Sequence, residues 1–518
     1  MKRNRRLFYF VWTTLAISSA TVCFAEKIAL KKTVAQNLAN ATESIRDGDL
    51  KKHIMFLASD KLEGREAGTR GGHAAGVYIR NQLKKYNVKK AGEENSYFQL
   101  FDDGYRNILG YFPGSDPKLK NEYIVICAHY DHVGYGNSGN SRGPIGFIHN
   151  GADDNASGSA ALLEIAEALS TLSKRPKRSI LIAFWDAEEL GLLGSLHWLE
   201  DPTVSLKKIK LAINMDMVGR MRKNEVEVYG TRTMKGTRKL ISRENNVKPM
   251  RLKFDWDVKR NSDHYSFFQH GIPSVMFHTG LHDDYHRPSD DANKINYIGT
   301  MRLSRLVFHM AYSEANAKSF SKFRRQSKDE SESERKRLFS KMPAPQSRLG
   351  IAWDSEKEKK GVFQITSVEA GSPALEAGFR NGDRIVAFNG KKIGEETDLK
   401  FLIQTAATDV SFQLKRSIEQ KPRSVKLKLR GQPRRIGISW SEDNASPGVM
   451  VIRRVIADSP AANAGLKYRD RIYKIDGKPF ASVEEFLRIV SQPKSRLKFT
   501  IERNGSLRDV MLTFPQLQ

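Results

Sequence analysis

Short apolar runs punctuate the first 317 positions, and stretches with helical spacing separate them. The strand-like runs are 108–112, 123–128, 179–185, 211–216, 226–229 and 274–277. Between them, segments such as 156–172 (ASGSAALLEIAEALSTL) read as helices. Strands alternating with helices predict an α/β domain whose mostly parallel sheet is covered by helices.

The pattern changes after position 317. Residues 318–347 are charged and Ser-rich and close with Pro-Ala-Pro, the composition of a linker with transient helix. The remainder repeats itself at a spacing of 87 residues: Leu349-Gly350-Ile351 returns as Ile436-Gly437-Ile438, Ser372-Pro373-Ala374 as Ser459-Pro460-Ala461, and Asp383-Arg384-Ile385 as Asp470-Arg471-Ile472. A constant register over such a distance predicts two copies of one small β-rich domain. The expected organisation is 1–25 leader, 26–317 α/β domain, 318–347 linker, 348–430 first copy and 434–518 second copy.

The leader follows from the N-terminus. Lys2, Arg3, Arg5 and Arg6 precede an apolar stretch, and Cys23-Phe24-Ala25 supplies small residues where a signal peptide is cut. That predicts export, periplasmic or extracellular, with membrane association if the leader stays uncut. After cleavage Cys127 is the remaining cysteine, so an internal disulfide is excluded. Within YIVICAH it reads as a small buried residue. The net charge of +27 is scattered in short runs such as KPRSVKLKLR. It is not gathered into an aromatic-interleaved stripe, which argues for solvated charge and against nucleic acid binding.

Chemistry collects where the apolar runs stop. Run 123–128 ends in His129-Tyr130-Asp131, run 179–185 leads to Glu188-Glu189, run 211–215 to Asp216, and run 274–277 to a loop with His286. Asp153 and Asp154 of NGADDNASG stand just before a helix. In an open α/β sheet functional groups gather at such strand ends. So many carboxylates repel one another unless divalent cations neutralise them. Mixed imidazole and carboxylate donors suit zinc or another first-row metal. Two such ions share a bridging carboxylate and hydroxide, which gives adjacent glutamates separate tasks: one ligates, and the other takes a proton from the attacking water. Asp131, two residues past His129, is placed to hold that imidazole in its ligating tautomer.

The ordered segments HYD, GADDNASG, DAEELGLLGS, NMDMVG and DDYHRPSDD resemble the co-catalytic di-zinc aminopeptidases, a family that includes glutamate carboxypeptidases and relatives of glutaminyl cyclase. LEGREAGTRGG upstream also looks like it, and the resemblance spans roughly residues 47–317. It implies a zinc exopeptidase fold and two Zn2+ ions. His129 and Asp216 resemble the ligands of one ion, Glu189 and His286 those of the other. Asp154 resembles the bridging carboxylate and Glu188 the general acid/base, with Asp131 in support. The peptide bond after the bridging aspartate is often cis in that family, so the same is expected at Asp154-Asn155. Asp153 reads as a turn or cap residue, Asp186 and Asp263 as supporting groups, and His132, His149, His278 and His282 as surface or packing histidines. The repeated units resemble PDZ domains, with the peptide-binding segments beginning near 349–352 and 436–439. The second copy departs from the pattern, with Tyr468-Arg469 where the first has Asn381-Gly382.

Together these readings predict an exported zinc aminopeptidase acting on peptides or proteins. C-terminal peptides are the expected ligands of the PDZ-like units. A carboxypeptidase or a cyclase-like enzyme on the same scaffold, and a non-catalytic PDZ scaffold protein, are the alternatives.

Overall fold

Strand β4 (Tyr123–His129) shows how the sheet builds its core. Ile124, Ile126 and Ala128 point into one hydrophobic cluster, and Val125 and Cys127 into another. Side chains alternate across a strand, so a strand apolar on both faces must be covered twice. The first cluster joins β4 to helices Asp47–Leu57, Gly158–Ser170 and Tyr297–Ala315. The second joins it to Trp198 and Phe267, from helices Leu193–Glu200 and His264–Gln269. Fully burying such an aliphatic side chain stabilises by about 1.5–3 kcal/mol. Burial pushes the Cys127 thiol up, which leaves it an unreactive packing residue.

The protein is described from a computed structural model covering residues 35–514 apart from 103, 247, 344, 345, 396, 432, 434, 458 and 493. The leader expected over 1–25 lies outside the described residues. Among the described residues no helix is long and apolar enough to cross a membrane. Two compact units divide the chain: one holds the residues up to Asp329 with Asn504–Ser506, the other Glu330–Arg503 and the residues from Leu507 on.

The first unit carries a nine-stranded sheet. Its strands are β1 (Lys89–Lys90), β2 (Phe98–Phe101), β3 (Tyr105–Phe112), β4, β5 (Ser179–Trp185), β6 (Ile209–Met215), β7 (Glu225–Tyr229), β8 (Arg251–Phe254) and β9 (Ser274–His278). They lie in the order β1-β3-β5-β4-β6-β9-β7-β8, with β2 on β3. The centre is parallel, through β5-β4-β6-β9, and β3 and β7 add on antiparallel. The chain leaves β4 for β5 on one side and returns to β6 on the other, so the strand order reverses at β4. At such a reversal the connections diverge and open a crevice beyond the C-terminal strand ends.

The charged stretch 318–347 is divided between the units. Met234 bridges to Phe323 within the first, and Arg324 N–H donates to Thr233 O at 2.7 Å. In the second, Glu332–Phe339 is a helix whose Ser331 and Glu334 form a capping box.

The second unit contains the repeat as two sheets. The first copy runs β10 (Ile351–Trp353), β11 (Phe363–Val368), β12 (Arg384–Phe388), β14 (Asp409–Lys415), β15 (Arg423–Lys428), with β13 (Lys391–Lys392) on β12. The second runs β16 (Ile438–Asp443), β17 (Ser446–Val455), β18 (Arg471–Ile475), β19 (Arg496–Arg503), β20 (Ser506–Thr513). Equivalent residues make equivalent bonds. Arg416 Nε meets Asp383 at 2.8 Å and its Nη2 donates to Gly378 O at 2.8 Å. Arg503 repeats this with Asp470 at 2.7 Å and Gly465 O at 2.8 Å. Ser372 and Ser459 cap the short helices that follow them, each with Pro in the first turn.

Candidate active site

Four strand ends deliver the site. His129 is the last residue of β4, Glu188 and Glu189 follow β5, Asp216 follows β6, and His286 comes from the loop after β9. Asp154 enters from the turn before helix Gly158–Ser170. Backbone in the left-handed region recurs here, at Ala187, Met217 and His286, which costs conformational energy that the surroundings must supply. Gly151, at φ +54, has no room for a side chain, because a Cβ would sit 2.1 Å from Asp154 O. The Asp154-Asn155 peptide is cis, as the resemblance led us to expect.

The two oxygens of Asp154 face different histidines. Oδ1 lies 3.3 Å from His129 Nε2, and Oδ2 lies 3.1 Å from His286 Nε2. His286 Nε2 is also 3.1 Å from Glu189 Oε2, and His129 Nε2 is 3.5 Å from Asp216 Oδ1. These are short approaches, yet His286 Nε2 and Asp216 Oδ1 are buried and make no hydrogen bond. Donor atoms crowded together without bonding one another fit a common cation better than a hydrogen-bond network. The tautomers agree: His286 Nδ1 is 2.7 Å from Asn140 O, so it carries the proton and leaves Nε2 a lone pair for a metal.

Ligand atoms gather in two groups, each within 4.8 Å: His132, Asp154, Glu189 and His286, and His129, Glu188 and Asp216. His129, Asp154, Glu188, Glu189, Asp216 and His286, the residues singled out from sequence, thus fall within these two groups. His132 is an addition. Its sequence reading as a packing or surface histidine missed that its Nδ1 lies 2.8 Å from Glu189 Oε1. Its ring also stands edge-on to His286 at 5.5 Å.

Asp131 is fully buried and acts on two fronts. It lies 3.5 Å from His129 Nδ1, and it accepts the backbone N–H groups of Glu188 and Glu189 at 3.1 and 3.2 Å. It thereby sets where both glutamates begin. Asp153 accepts Gly219 N–H at 2.6 Å and Ser157 Oγ at 3.1 Å, with His282 at 3.1 Å, so it ties the turn to the segment after β6. Asp186 accepts the N–H groups of Arg106 and Ala187, and burial beside Asp131 pushes it up to about 7. Asp263 is buried with neither oxygen hydrogen-bonded. His149 pairs with Ser141, and the ring nitrogen of His278 accepts Gly280 N–H.

Arg65 underpins the arrangement and was assigned no role from sequence. It is 1% exposed. Nη1 donates to Leu57 O and Asn150 O, both at 2.6 Å; Nη2 to Gly151 O at 2.9 Å and Asp154 O at 3.4 Å; Nε to Tyr130 O at 2.9 Å. One guanidinium thus fixes the turn carrying Asp154 to the strand end carrying His129. Burial pulls Arg65 down to about 10, although Asp154 and Asp131 favour its charge.

Electrostatics follow from crowding. Burial pushes the Glu188 carboxyl well up, reinforced by Asp263, Glu189 and Asp216 and opposed by His129. Burial also raises Asp154, but His129 and His286 outweigh it and hold that carboxyl well below its usual range. His286 is drawn down by burial and up by Asp154 and Glu189, and without a cation the carboxylates win, at about 11; a metal on Nε2 would take the place of that second proton. Beside the ligands opens a cavity of about 530 Å3, lined also by Arg142, Glu227, Tyr229, Lys259, His278, Leu281 and Tyr285.

Residues 107–311 match the model of peptidase family M28, and residues 364–416 and 435–513 match models of the PDZ domain. The chain is 30% identical over 254 residues to leupeptin-inactivating enzyme 1 of Streptomyces exfoliatus, covering 48% of this chain and 52% of that protein. It is 31% identical over 219 residues to aminopeptidase YwaD of Bacillus subtilis, covering 40% and 44%. The matched stretch is thus about half the length of these curated relatives. A solved zinc aminopeptidase from Bacillus subtilis aligns at 17% identity and a TM-score of 0.42, over 54% of this chain and 98% of that one. The chain is thus similar to peptidase family M28 over residues 107–311 and to PDZ domains over residues 364–416 and 435–513.

Proposed function

We propose that the chain is a zinc-dependent exopeptidase working as an aminopeptidase, with its PDZ pair holding peptide chains. The observation that carries this is the carboxylate of Asp154 presented to two histidines at once, 3.3 Å from His129 and 3.1 Å from His286. In this reading His129, Asp154 and Asp216 would hold one zinc ion, and Asp154, Glu189 and His286 would hold a second. Zinc held there would polarise a scissile carbonyl and acidify a water. Glu188 accepts a proton from that water on its carboxylate and returns it to the departing amine. Asp131 keeps Glu188 and Glu189 in place through their amides, and His132 orients Glu189. The likeness to aminopeptidase YwaD supports the aminopeptidase reading. Export belongs to the same proposal and is supported by the basic and apolar residues 2–25.

Hydrolysis of an aminoacyl chromogenic amide, lost on chelation and restored by zinc, tests the metal. Paired peptides with free and acetylated N-termini test the direction. Cleavage of the blocked set as readily as the free set would replace the aminopeptidase reading with a carboxypeptidase.

A further inference from the structure

The run 421–430, KPRSVKLKLR, reads from sequence as solvated charge, and the fold sorts it by side. Along strand β15 half-buried and exposed positions alternate: Arg423, Val425 and Leu427 turn inward, and Ser424, Lys426 and Lys428 turn outward. Val425 and Leu427 pack against the core of the first copy, with Val410, Phe412 and Leu414 of β14. The other face of the sheet is left to solvent, and register decides what stands on it. Lys428 lies across from Asp409, Lys426 from Ser411 and Ser424 from Gln413. Further along β14, Lys415 lies across from Arg384 of β12, and both are exposed.

Arg384, Lys415, Lys426 and Lys428 therefore share one face of these three strands with the carboxylate of Asp409. None of the four cations forms an ion pair among the described residues. Lys415 and Arg384 stand directly opposite each other, which costs stability unless something anionic lies over them. Strand β15 is an edge of its sheet, and lysine on an edge strand guards against unwanted pairing. That explains Lys426 and Lys428. It does not explain Lys415 and Arg384, which stand on the next two strands inward, each about 4.8 Å further from the edge. At one end of the face the chain turns through residues 416–422. Ile418 in that turn, three residues past Lys415, is 91% exposed. Glu419 beside it favours the charge of Arg416, which pairs with Asp383 at 2.8 Å. Ser411, Gln413 and Ser424 stand between the cations, where a nucleic acid would need aromatic rings to stack on. A protruding apolar side chain beside a basic face instead matches charged headgroups with an acyl boundary beneath them.

We propose that this face docks the protein on a bilayer that carries anionic phospholipid headgroups. Arg384, Lys415, Lys426 and Lys428 lie over the headgroups, and Ile418 enters the acyl boundary. Each cation near such a surface strengthens binding by about fivefold, so the face works as a group, and salt weakens it. The attachment is peripheral and reversible. It is independent of the peptidase chemistry and of what the PDZ copies hold.

The test keeps the chain whole. Full-length protein carrying Ile418→Trp is titrated with vesicles of brominated phosphatidylcholine, with or without about 30% phosphatidylglycerol, and the added fluorescence is followed. Bromine on the acyl chains quenches only a ring that reaches them. The anionic vesicles should quench at a lipid concentration at least about tenfold lower than the neutral ones, and salt should erase the difference. Lys415→Glu, Lys426→Glu and Lys428→Glu together should raise the concentration needed by at least about tenfold. Lys426→Glu alone, the gentler change, should raise it by about fivefold. Lys51→Glu, Lys84→Glu and Lys207→Glu together alter the net charge equally on exposed positions of the first unit, and should change it by less than about twofold. Residues 2–25 are the same in every variant, so attachment through them does not produce these differences. Vesicles that hold the protein without quenching the introduced ring would overturn the proposal, as would equal effects from the two triple substitutions. Binding of heparin through the same lysines, with no quenching by vesicles, would make the partner a soluble polyanion instead.

Discussion

Replacing Arg65 by Met keeps the length of the side chain and removes all five donors. Four of the lost bonds are 2.9 Å or shorter, and each accepting carbonyl stays in place. Hydrogen bonds from a charged donor contribute roughly 1.5–3 kcal/mol each, so about 6 kcal/mol is lost at the low end. Removing the charge recovers its desolvation. Burial lowers Arg65 from 12.5 to about 10, which corresponds to about 3 kcal/mol. The balance is a loss of about 3 kcal/mol or more, in line with roughly 3–5 kcal/mol for breaking buried charged contacts. For a unit of this size that lowers Tm by about 5 °C. The damage should concentrate where the carbonyls are: the segments around Tyr130 and Asn150–Asp154 loosen, and both donor sets lose their common member. Thermal unfolding by near-UV circular dichroism measures the first effect, and competition with a chromogenic zinc chelator measures the second. Arg65→Lys, with one nitrogen in place of three, should fall between. If Arg65→Met melts within about 2 °C of the parent and holds zinc equally well, the buried guanidinium does not organise the site.

Glu188→Gln should keep zinc content near that of the parent and lower turnover by about 10²–10⁴-fold, read from amide hydrolysis beside metal analysis. His132→Ala removes the partner of Glu189 Oε1, and chelator competition should show zinc affinity falling by about 10–100-fold with little change in Tm. Chelation of the whole protein should abolish hydrolysis and lower the Tm of the first unit, because crowded carboxylates then repel; calorimetry with and without zinc measures the shift. Burial raises Glu314 from 4.5 to about 7, against the pull of Arg243 and Arg178. A raised carboxyl favours the folded state below pH 4.5, and that advantage is lost as pH rises to about 7. The gap sets a ceiling of about 3 kcal/mol. Partial exposure of the side chain reduces the expected effect to about 1 kcal/mol. Glu314→Gln should therefore be more stable than the parent above pH 7 and equal to it at pH 4, in urea titrations at both values.

The central strands and the site were legible for the same reason. The central runs β4, β5 and β6 are buried on nearly every position, so their ends are marked where polar side chains begin: His129, Asp186 leading to the Glu188-Glu189 pair, and Asp216. Strands β1, β2 and β8 were not legible. Lys89–Lys90 is two exposed charged residues, and Arg251–Phe254 alternates exposed and buried positions over only four residues. Their existence depends on neighbours that offer an edge. His132 was missed because β4 ends at His129 and strand alternation stops there; only the fold turns the ring toward Glu189. Arg65 was missed for a related reason. Its partners are backbone oxygens from Leu57, Tyr130, Asn150, Gly151 and Asp154, and a carbonyl oxygen leaves no trace in the amino-acid code. A basic residue inside the otherwise family-like LEGREAG was the available signal.

Asp154 has one carboxyl group and two commitments. Whatever turns it correctly for His129 has already turned it for His286, so the ordering cost of the pair is met once. If two ions bind as proposed, filling one position prepares the other, and loading should be cooperative even if nothing else in the molecule moves. The same economy removes redundancy. A substitution that rotates this side chain disables both halves together, and neither half can change its preferred ion without the other sharing the consequence.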